Sequence, residues 1–254
     1  MDLTKKKWLY VTGCSHIAGS EVLTPGNGTL THAGLQKSWT GLLAEEYKLN
    51  LISQALPGAG NEYMMRSAMD FVSTWKRAGR SLDDVLMIIA WSTTERVQFV
   101  WNTANGDESH IHWANNQDVE QHKERFGHDF TTWFKALKLY ATDYYYGTKR
   151  KIGNIVLTSN YLDNNDVDYV MLNSHPKLDA KWHDEKISRC KHPSSRYDHY
   201  IDQLPETYFE PYDSFIEQFW DKEEYKQHIS EWLHADAHIH QVYYNKFKTW
   251  LEKI

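Results

Sequence analysis

Short segments of strand-type composition along the chain predict a sheet. Three such segments lie at Trp8–Thr12, at residues 49–55 and at Val85–Trp91, and the last is the unbroken apolar run expected of a buried parallel strand. Residues 152–159 are predicted to form a further strand. Because segments with helical patterns separate these runs, the sequence predicts an α/β protein with a doubly wound parallel sheet.

Apolar residues at helical spacing predict amphipathic helices between the strands. One helix is predicted between residues 35 and 47, and a second is predicted to begin at Asn61, a residue type that favours the helix N-cap. The apolar stripe of the second helix consists of Met64, Met65, Ala68, Phe71, Val72 and Trp75. A long helical pattern covers residues 129–146, and residues 212–254 are predicted to be helical on both sides of residues 234–240.

Three stretches lack a clear pattern. Residues 21–32 are rich in Gly, Thr and Pro and are predicted to form a loop, and the polar residues 101–118 are predicted to be a loop insertion. Residues 160–211 are predicted to form loops and short helices. A chain of 254 residues is long enough for one large core, and we predict a single domain over residues 1–254.

Composition and charge narrow the functional classes. A charged fraction of 24% and a hydrophobic fraction of 41% are typical of a soluble globular protein. No apolar run approaches the roughly 20 residues that a membrane-spanning helix needs. The net charge of -6 argues against a general nucleic-acid binder, and the basic triplets at residues 5–7 and 149–151 are interpreted as solvated strand ends.

The amino-terminal residues and the cysteines indicate a reducing compartment. No apolar segment of a secretory signal precedes the first strand, so we expect a cytoplasmic protein, with virion association as a further expectation if it is phage-encoded. Cys14 and Cys190 are far apart and lack metal-type spacing. Both are therefore expected to be free thiols.

Polar residues follow the first three predicted strands. Gly13 permits a sharp turn that lifts Ser15 to the carboxyl edge of the sheet, and Gly58 with Asn61 and then Ser92 follow the next two strands. Because ligands bind at this edge of a parallel sheet, Ser15 is a candidate nucleophile beside free backbone N–H groups. The alternative for an isolated serine of this kind is a helix N-cap.

The carboxyl-terminal segment supplies a candidate acid and a candidate base. His238 would take the Ser15 proton and Asp236 would orient its imidazole, which completes a catalytic triad. The same segment permits a different interpretation. His234, Asp236, His238 and His240 recur at period two, so on an extended segment they would share one face and bind zinc, whereas on a helix they would diverge.

In chain order these residues resemble the blocks of the SGNH (GDSL-like) hydrolase family, in the branch whose first block reads Gly-Cys-Ser. Residues 13–15 match the first block, residues 56–61 match the second, and residues 236–238 match the last, without the proline that often follows. The third block differs, because the family normally has Gly-x-Asn where this chain has Ala-Trp-Ser at residues 90–92.

The resemblance implies a three-layer α/β/α, flavodoxin-like fold with a central parallel sheet. It also implies that Ser15, Asp236 and His238 form the triad of a serine hydrolase that cleaves short acyl esters. O-acetyl groups on a carbohydrate are one such substrate class. The resemblance implies neither a cofactor nor a metal, and the sequence does not indicate the oligomeric state.

The resemblance further implies an oxyanion hole built from the three strand ends. Its donors are the N–H groups of Ser15 and Gly58, with the Ser92 hydroxyl or the Asn61 amide as the third donor. Because the third block departs from the family pattern, two other hypotheses stay open. One is an inactive SGNH-fold protein with a binding or structural role, and the other is a metal-dependent hydrolase.

Overall fold

The strands of the structure form two sheets within the described part of the chain. A computed structural model describes residues 1–23, 31–94, 96–102, 108–113, 132, 144–174, 203–210, 213–230 and 234–254. The strands are β1 (Trp8–Thr12), β2 (Asn50–Ser53), β3 (Val85–Trp91), β4 (Val97–Asn102), β5 (Glu108–Trp113), β6 (Asp168–Asn173) and β7 (Tyr208–Phe209). β4 and β5 pair as an antiparallel two-stranded sheet, and the other five form the central sheet.

Helices follow most strands of the central sheet. They are α1 (Ser15–Ala18), α2 (His32–Lys37), α3 (Trp39–Glu46), α4 (Asn61–Arg77), α5 (Tyr144–Asp163) and α6 (Ala237–Leu251), with 3₁₀ turns at Leu3–Lys5 and Glu223–His228. Side-chain caps fix where several of them begin, because an oxygen at the N-cap accepts an otherwise unbonded backbone N–H. Ser38 both ends α2 and caps α3, which divides the single helix predicted between residues 35 and 47 into two.

The central sheet is parallel throughout and has the order β2-β1-β3-β6-β7. This is the flavodoxin-like order, in which the chain first extends the sheet to one side of β1 and then to the other. The prediction of an α/β fold with a central parallel sheet is confirmed. The change of direction places a crevice between the carboxyl ends of β1 and β3, where ligands bind in such folds.

Alternate side chains of the sheet enter two separate cores. Leu9 and Val11 pack in the cluster that contains the buried residues of α3 and α6, whereas Tyr10 packs in the cluster that contains those of α4 and α5. Buried aliphatic and aromatic side chains stabilise the fold by about 1.5–3 kcal/mol each, so both faces of the sheet must be covered. The covered faces explain why β3 is an unbroken apolar run.

The prediction of a strand at residues 152–159 was wrong, because these residues lie in the helix α5. Their apolar side chains recur at helical spacing: Ile152, Ile155 and Leu162 are buried on one face. The strand that the sequence analysis missed is β6, a buried run at Asp168–Asn173 inside the stretch predicted to be irregular. A tight turn at residues 164–166 separates α5 from β6.

Other predictions are corrected or fall outside the described residues. The loop insertion predicted at residues 101–118 contains β5 and the end of β4. The helix predicted at residues 129–146 lies almost entirely outside the described residues, as does much of the irregular stretch at 160–211. The single domain over residues 1–254 stays a prediction. No helix in the described part of the chain has both the length and the apolarity to cross a membrane.

Candidate active site

The turn between β1 and α1 places Ser15 at the crevice. A Cβ atom at Gly13 would lie 2.5 Å from Ile17 Cγ1 and 3.2 Å from Ala90 Cβ, so only glycine allows α1 to start this close to the sheet. Ser15 is the first residue of α1 and is 5% exposed. Neither its hydroxyl nor its backbone N–H has a hydrogen-bond partner among the residues the structure describes. Both groups are therefore available to a substrate.

Cys14 belongs to the core on the other side of this turn. Its side chain is fully buried, and its thiol donates to Ser174 Oγ at 3.1 Å. Ser174 in turn donates to the carbonyl of Trp91 at 2.9 Å. Since a reactive thiol has to be accessible, packing rather than catalysis is the role that these contacts support. Cys190 lies outside the described residues.

The turn that contains Gly58 is tied to the Ser15 turn. The N–H of Leu56 donates to the carbonyl of Gly13 at 3.0 Å, which joins the two turns at the sheet edge. Gly58 has φ 78°, a conformation that favours glycine. Within the described part of the chain, its N–H has no acceptor. The predicted donors Ser15 and Gly58 thus both carry free N–H groups on adjoining turns.

Asn61 is the first residue of α4, and its side chain forms hydrogen bonds with the loop after β3. Its Oδ1 accepts from the N–H of Ser92 at 2.8 Å, and its Nδ2 donates to the carbonyls of Ser92 and Thr93 at 3.2 Å each. The residue is buried, and Gly60 rather than Asn61 occupies the N-cap position. The amide of Asn61 can face a substrate only by leaving these three bonds.

Ser92 follows β3 and has a basic neighbour that the sequence analysis did not single out. Its hydroxyl accepts a hydrogen bond from Arg96 Nη1 at 2.8 Å, and the same nitrogen lies 3.4 Å from the carbonyl of Ala59. Arg150 donates to the carbonyl of Arg96 at 3.1 Å and pairs with Glu62 at 2.7 Å. No sequence motif marked Arg96, because it lies beyond the predicted strand end.

The structure gives Asp236 and His238 other contacts than the predicted triad. Asp236 is the N-cap of α6: its Oδ1 accepts from the N–H groups of His238 at 2.9 Å and Ile239 at 3.2 Å. Its Oδ2 accepts from His228 Nδ1 at 2.8 Å. The ring of His238 is exposed and lies 4.4 Å from the ring of His228. Asp236 therefore orients His228 and not the imidazole of His238.

Among the described residues, His234 is a histidine that lies close to the residue after Ser15. Its ring lies 5.4 Å from the ring of His16, the residue after Ser15. Its Nδ1 is 3.0 Å from Glu21 Oε1, within ion-pair distance although off the line of a hydrogen bond. Glu21 is buried and has φ 63°, a conformation that non-glycine residues adopt rarely and that occurs often at functional sites.

His240 faces the core and does not share a surface with its neighbours. The N–H of Trp39 donates to His240 Nδ1 at 3.2 Å, and burial lowers the pKa of this imidazole to about 3. Because α6 begins at Ala237, the shared face proposed for His234, Asp236, His238 and His240 does not form. Among the described residues, no group of three or more His, Cys, Asp or Glu side chains is placed to hold a metal ion.

Lys151 is buried in α5, contrary to its interpretation as a solvated strand end. Burial lowers the pKa of its ammonium group to about 7, and attraction to Glu217 and to Cys14 opposes this shift. The surrounding helix explains the difference, because a lysine next to the buried Ile152 points into the protein when the segment is helical. The sequence pattern alone offered no signal for it.

A family model covers most of the chain. The model is described as a family of unknown function (DUF6071), and it matches residues 25–190. The chain belongs to this family. The match includes Gly58, Asn61, Ser92 and Arg96, whereas Ser15 and His234 lie outside it. No curated protein matches the sequence.

Two solved structures resemble the chain at low sequence identity. One is the psychrotrophic esterase EstA from Pseudoalteromonas sp., inhibited by monoethylphosphonate, with 9% identity, a TM-score of 0.45, and coverage of 96% of this chain and 98% of that one. The other is a carbohydrate esterase whose active site has divergent catalytic and non-catalytic binding functions, with 13% identity, a TM-score of 0.42, and coverage of 98% and 69%. Both of these proteins are esterases.

Proposed function

We propose that the protein is a serine ester hydrolase in which Ser15 is the nucleophile, His234 the general base and Glu21 the carboxylate that orients the base. The observation that carries this proposal is the buried contact of His234 with Glu21 beside the turn that begins α1. The proposal keeps the predicted nucleophile and replaces the predicted Asp236 and His238. The chemistry of a serine, a histidine and a carboxylate is unchanged.

The first step forms an acyl-enzyme. Ser15 Oγ attacks the ester carbonyl while its proton passes to His234 Nε2, and Glu21 stabilises the imidazolium through Nδ1. The negative charge on the carbonyl oxygen is stabilised by the N–H groups of Ser15 and Gly58. When the tetrahedral intermediate collapses, the ester C–O bond breaks and His234 returns the proton to the alcohol that leaves.

The second step restores the serine. A water molecule gives a proton to His234 and attacks the acyl carbon, and the same N–H groups stabilise the second oxyanion. The bond from Ser15 Oγ to the acyl carbon then breaks, and His234 returns the proton to the serine. The carboxylic acid leaves, so each cycle consumes one ester and one water. Catalytic hydrogen bonds are often long before substrate binds, which is consistent with the unbonded Ser15 hydroxyl.

The substrate class proposed is a short acyl ester, with O-acetyl groups on a carbohydrate as the preferred form. A cleft of about 380 Å³ lies between the end of β2 and α4 and is lined by aromatic and polar side chains, although Ser15, Glu21 and His234 do not line it. Tyr63 and Phe71 contribute half-buried rings, and Gln54 and Asp70 contribute exposed polar groups. Such a mixture suits sugar rings, which have apolar faces and hydroxyl rims.

Active-site labelling tests the proposal directly. We expect a fluorophosphonate probe to form an adduct at Ser15, located by mass spectrometry, and we expect hydrolysis of 4-nitrophenyl acetate and of an acetylated oligosaccharide. Ser15→Ala should abolish both, whereas Cys14→Ala tests the neighbouring thiol. A folded wild-type protein with neither label nor turnover would overturn the proposal in favour of a non-catalytic role. Turnover that survives Ser15→Ala would assign the chemistry to another residue.

A further inference from the structure

The loop after β3 offers one further donor to the crevice. β1 and β3 are parallel neighbours in register, with Thr12 opposite Ile89, so the turns that follow them lie side by side. The Ser15 turn supplies one free N–H group, but the N–H of Ser92 is bonded to Asn61. The hydroxyl of Ser92 is a further group of this loop that can donate a hydrogen bond.

In the contact that the structure describes for the Ser92 hydroxyl, its oxygen accepts a hydrogen bond and its proton is not donated. A serine hydroxyl has one proton to donate and lone pairs that accept. The guanidinium of Arg96 occupies a lone pair at 2.8 Å, so the hydroxyl acts as an acceptor in this contact. Within the described part of the chain, the hydroxyl has no acceptor for its own proton. Ser92 is therefore a buried donor held in place by a charged group.

Within the described part of the chain, no carboxylate neutralises the charge of Arg96. The neighbouring Arg150 pairs with Glu62, so these two charges offset each other. For Arg96, no carboxylate lies within ion-pair distance among the described residues. Its half-buried guanidinium binds Ser92 and the carbonyl of Ala59. A half-buried cation of this kind lowers the energy of a negative charge that forms nearby.

We propose that Arg96 is a positioning residue, which aims and polarises the Ser92 hydroxyl so that this hydroxyl serves as the third donor of the oxyanion hole. This inference rests on the proposed hydrolase function. Hydrogen bonds that are linked in series polarise one another. A hydroxyl that accepts a hydrogen bond from a cation is therefore a stronger donor. Ser92, with its hydroxyl polarised by Arg96, thus takes the donor role that an asparagine amide has in the third block of the SGNH family. Arg96 acts through Ser92 and does not itself touch the substrate.

Steady-state kinetics with a double-mutant cycle tests the inference. We expect Ser92→Ala to lower kcat for 4-nitrophenyl acetate by about 10²-fold, the usual loss for one oxyanion donor, with KM nearly unchanged. Arg96→Gln should lower kcat by about 10-fold, and Arg96→Lys should restore part of that loss. In the Ser92→Ala background, Arg96→Gln should add almost nothing, because Arg96 acts through the hydroxyl. Arg66→Gln, an exposed position on α4, is the matched control.

The outcomes separate this inference from the proposed function. If the wild-type protein shows Ser15-dependent turnover but Arg96→Gln retains full kcat, the positioning role is overturned and the hydrolase stands. Additive losses in the double variant would likewise overturn it, since they mean that Arg96 acts independently of Ser92. Absence of Ser15-dependent turnover in the wild-type protein overturns both. Thermal unfolding of each variant shows whether a loss of kcat accompanies a loss of fold.

Discussion

Two histidines of the carboxyl-terminal segment, His234 and His228, each pair with a carboxylate, and the two pairs differ in burial. In the pair His234–Glu21 the side chains are 17% and 2% exposed, whereas in the pair His228–Asp236 they are 25% and 26% exposed. The ring of His234 lies against the ring of His16, the residue after Ser15, and the ring of His228 is tilted against the ring of the exposed His238. Two histidine–carboxylate pairs therefore differ in burial, and the more buried pair is the one beside the Ser15 turn.

The two-residue spacing of Asp236 and His238 has a structural explanation at the start of α6. Asp236 lies two residues before His238 because a carboxylate at the N-cap accepts from N–H groups two and three residues later. That spacing serves the start of α6. The Glu21 carboxylate is buried, where a charge interacts more strongly with an imidazolium than it does in water. Burial and neighbours, rather than spacing, favour His234 as the base.

The largest expected effect is the difference in kcat between the alanine variants of His234 and His238. His234→Ala should lower kcat for ester hydrolysis by about 10⁴-fold or more, as removal of a triad histidine does. His238→Ala should change kcat by less than about 3-fold, because an exposed ring away from the reaction contributes little. Parallel measurements on the two purified variants check this. A large loss for His238→Ala with near-normal His234→Ala would restore the triad predicted from the sequence.

The next effect concerns the carboxylate of the buried pair. Glu21→Gln keeps the shape of the side chain but removes the charge that stabilises the imidazolium, so kcat should fall by about 10²-fold or more. Asp236→Asn is the matched control and should leave kcat within about 3-fold of wild type. Equal losses in the two variants, measured with the same ester, would contradict the assignment of Glu21.

A third effect is on stability, at His240 in the core. The pKa of His240 falls from 6.5 in the unfolded chain to about 3 in the fold, so between these values the unfolded chain binds more protons. The contribution of His240 to the free energy of unfolding is therefore fully present above pH 6.5. As the pH falls below this value, the free energy of unfolding decreases by up to about 1.4 kcal/mol per pH unit.

Denaturant titrations at several pH values measure this dependence. In His240→Gln the extra slope between pH 6.5 and 4 should be absent, whatever the absolute stability of the variant, and the exposed His238→Gln should retain it. Identical slopes for wild type and His240→Gln would show that the buried imidazole is not the titrating group.

The smallest effect concerns the surface pair. Asp236→Ala removes the N-cap of α6 and the contact with His228, and should lower the free energy of unfolding by about 1 kcal/mol. Asp236→Asn retains a capping oxygen and should lose less. Turnover per folded molecule should be almost unchanged in both. A 100-fold loss of turnover in Asp236→Ala without unfolding would return Asp236 to the catalytic residues.

The sheet could largely be predicted from the sequence, and α5 with β6 could not. β1 and β3 are continuous apolar runs with polar ends, a pattern that buried parallel strands share with few other elements. In α5, Ile152, Ile155 and neighbouring β-branched residues imitate such a run, although their burial follows a helical period. Tertiary packing on both faces, rather than local propensity, decides the outcome there.

Part of the candidate site could be predicted, because it is local in sequence. Ser15, Gly58 and Ser92 each lie within a few residues of the end of a strand, so a correct strand prediction already places them at one edge of the sheet. The contact of Glu21 with His234 joins distant parts of the chain and has no local signature. In the sequence, His234 is marked only as a candidate metal ligand and Glu21 is not marked at all, since neither belongs to a block of the hydrolase family.

The hydrogen bonds of Asn61 couple two segments that border the crevice. Its amide accepts one backbone N–H and donates to two carbonyls of the loop after β3, so three hydrogen bonds join this loop to the start of α4. The N-terminus of α4 and that loop are therefore expected to open and close as one rigid body. Amide hydrogen exchange at Ser92 should then report opening of α4 as well, and a variant such as Asn61→Ala should uncouple the two segments.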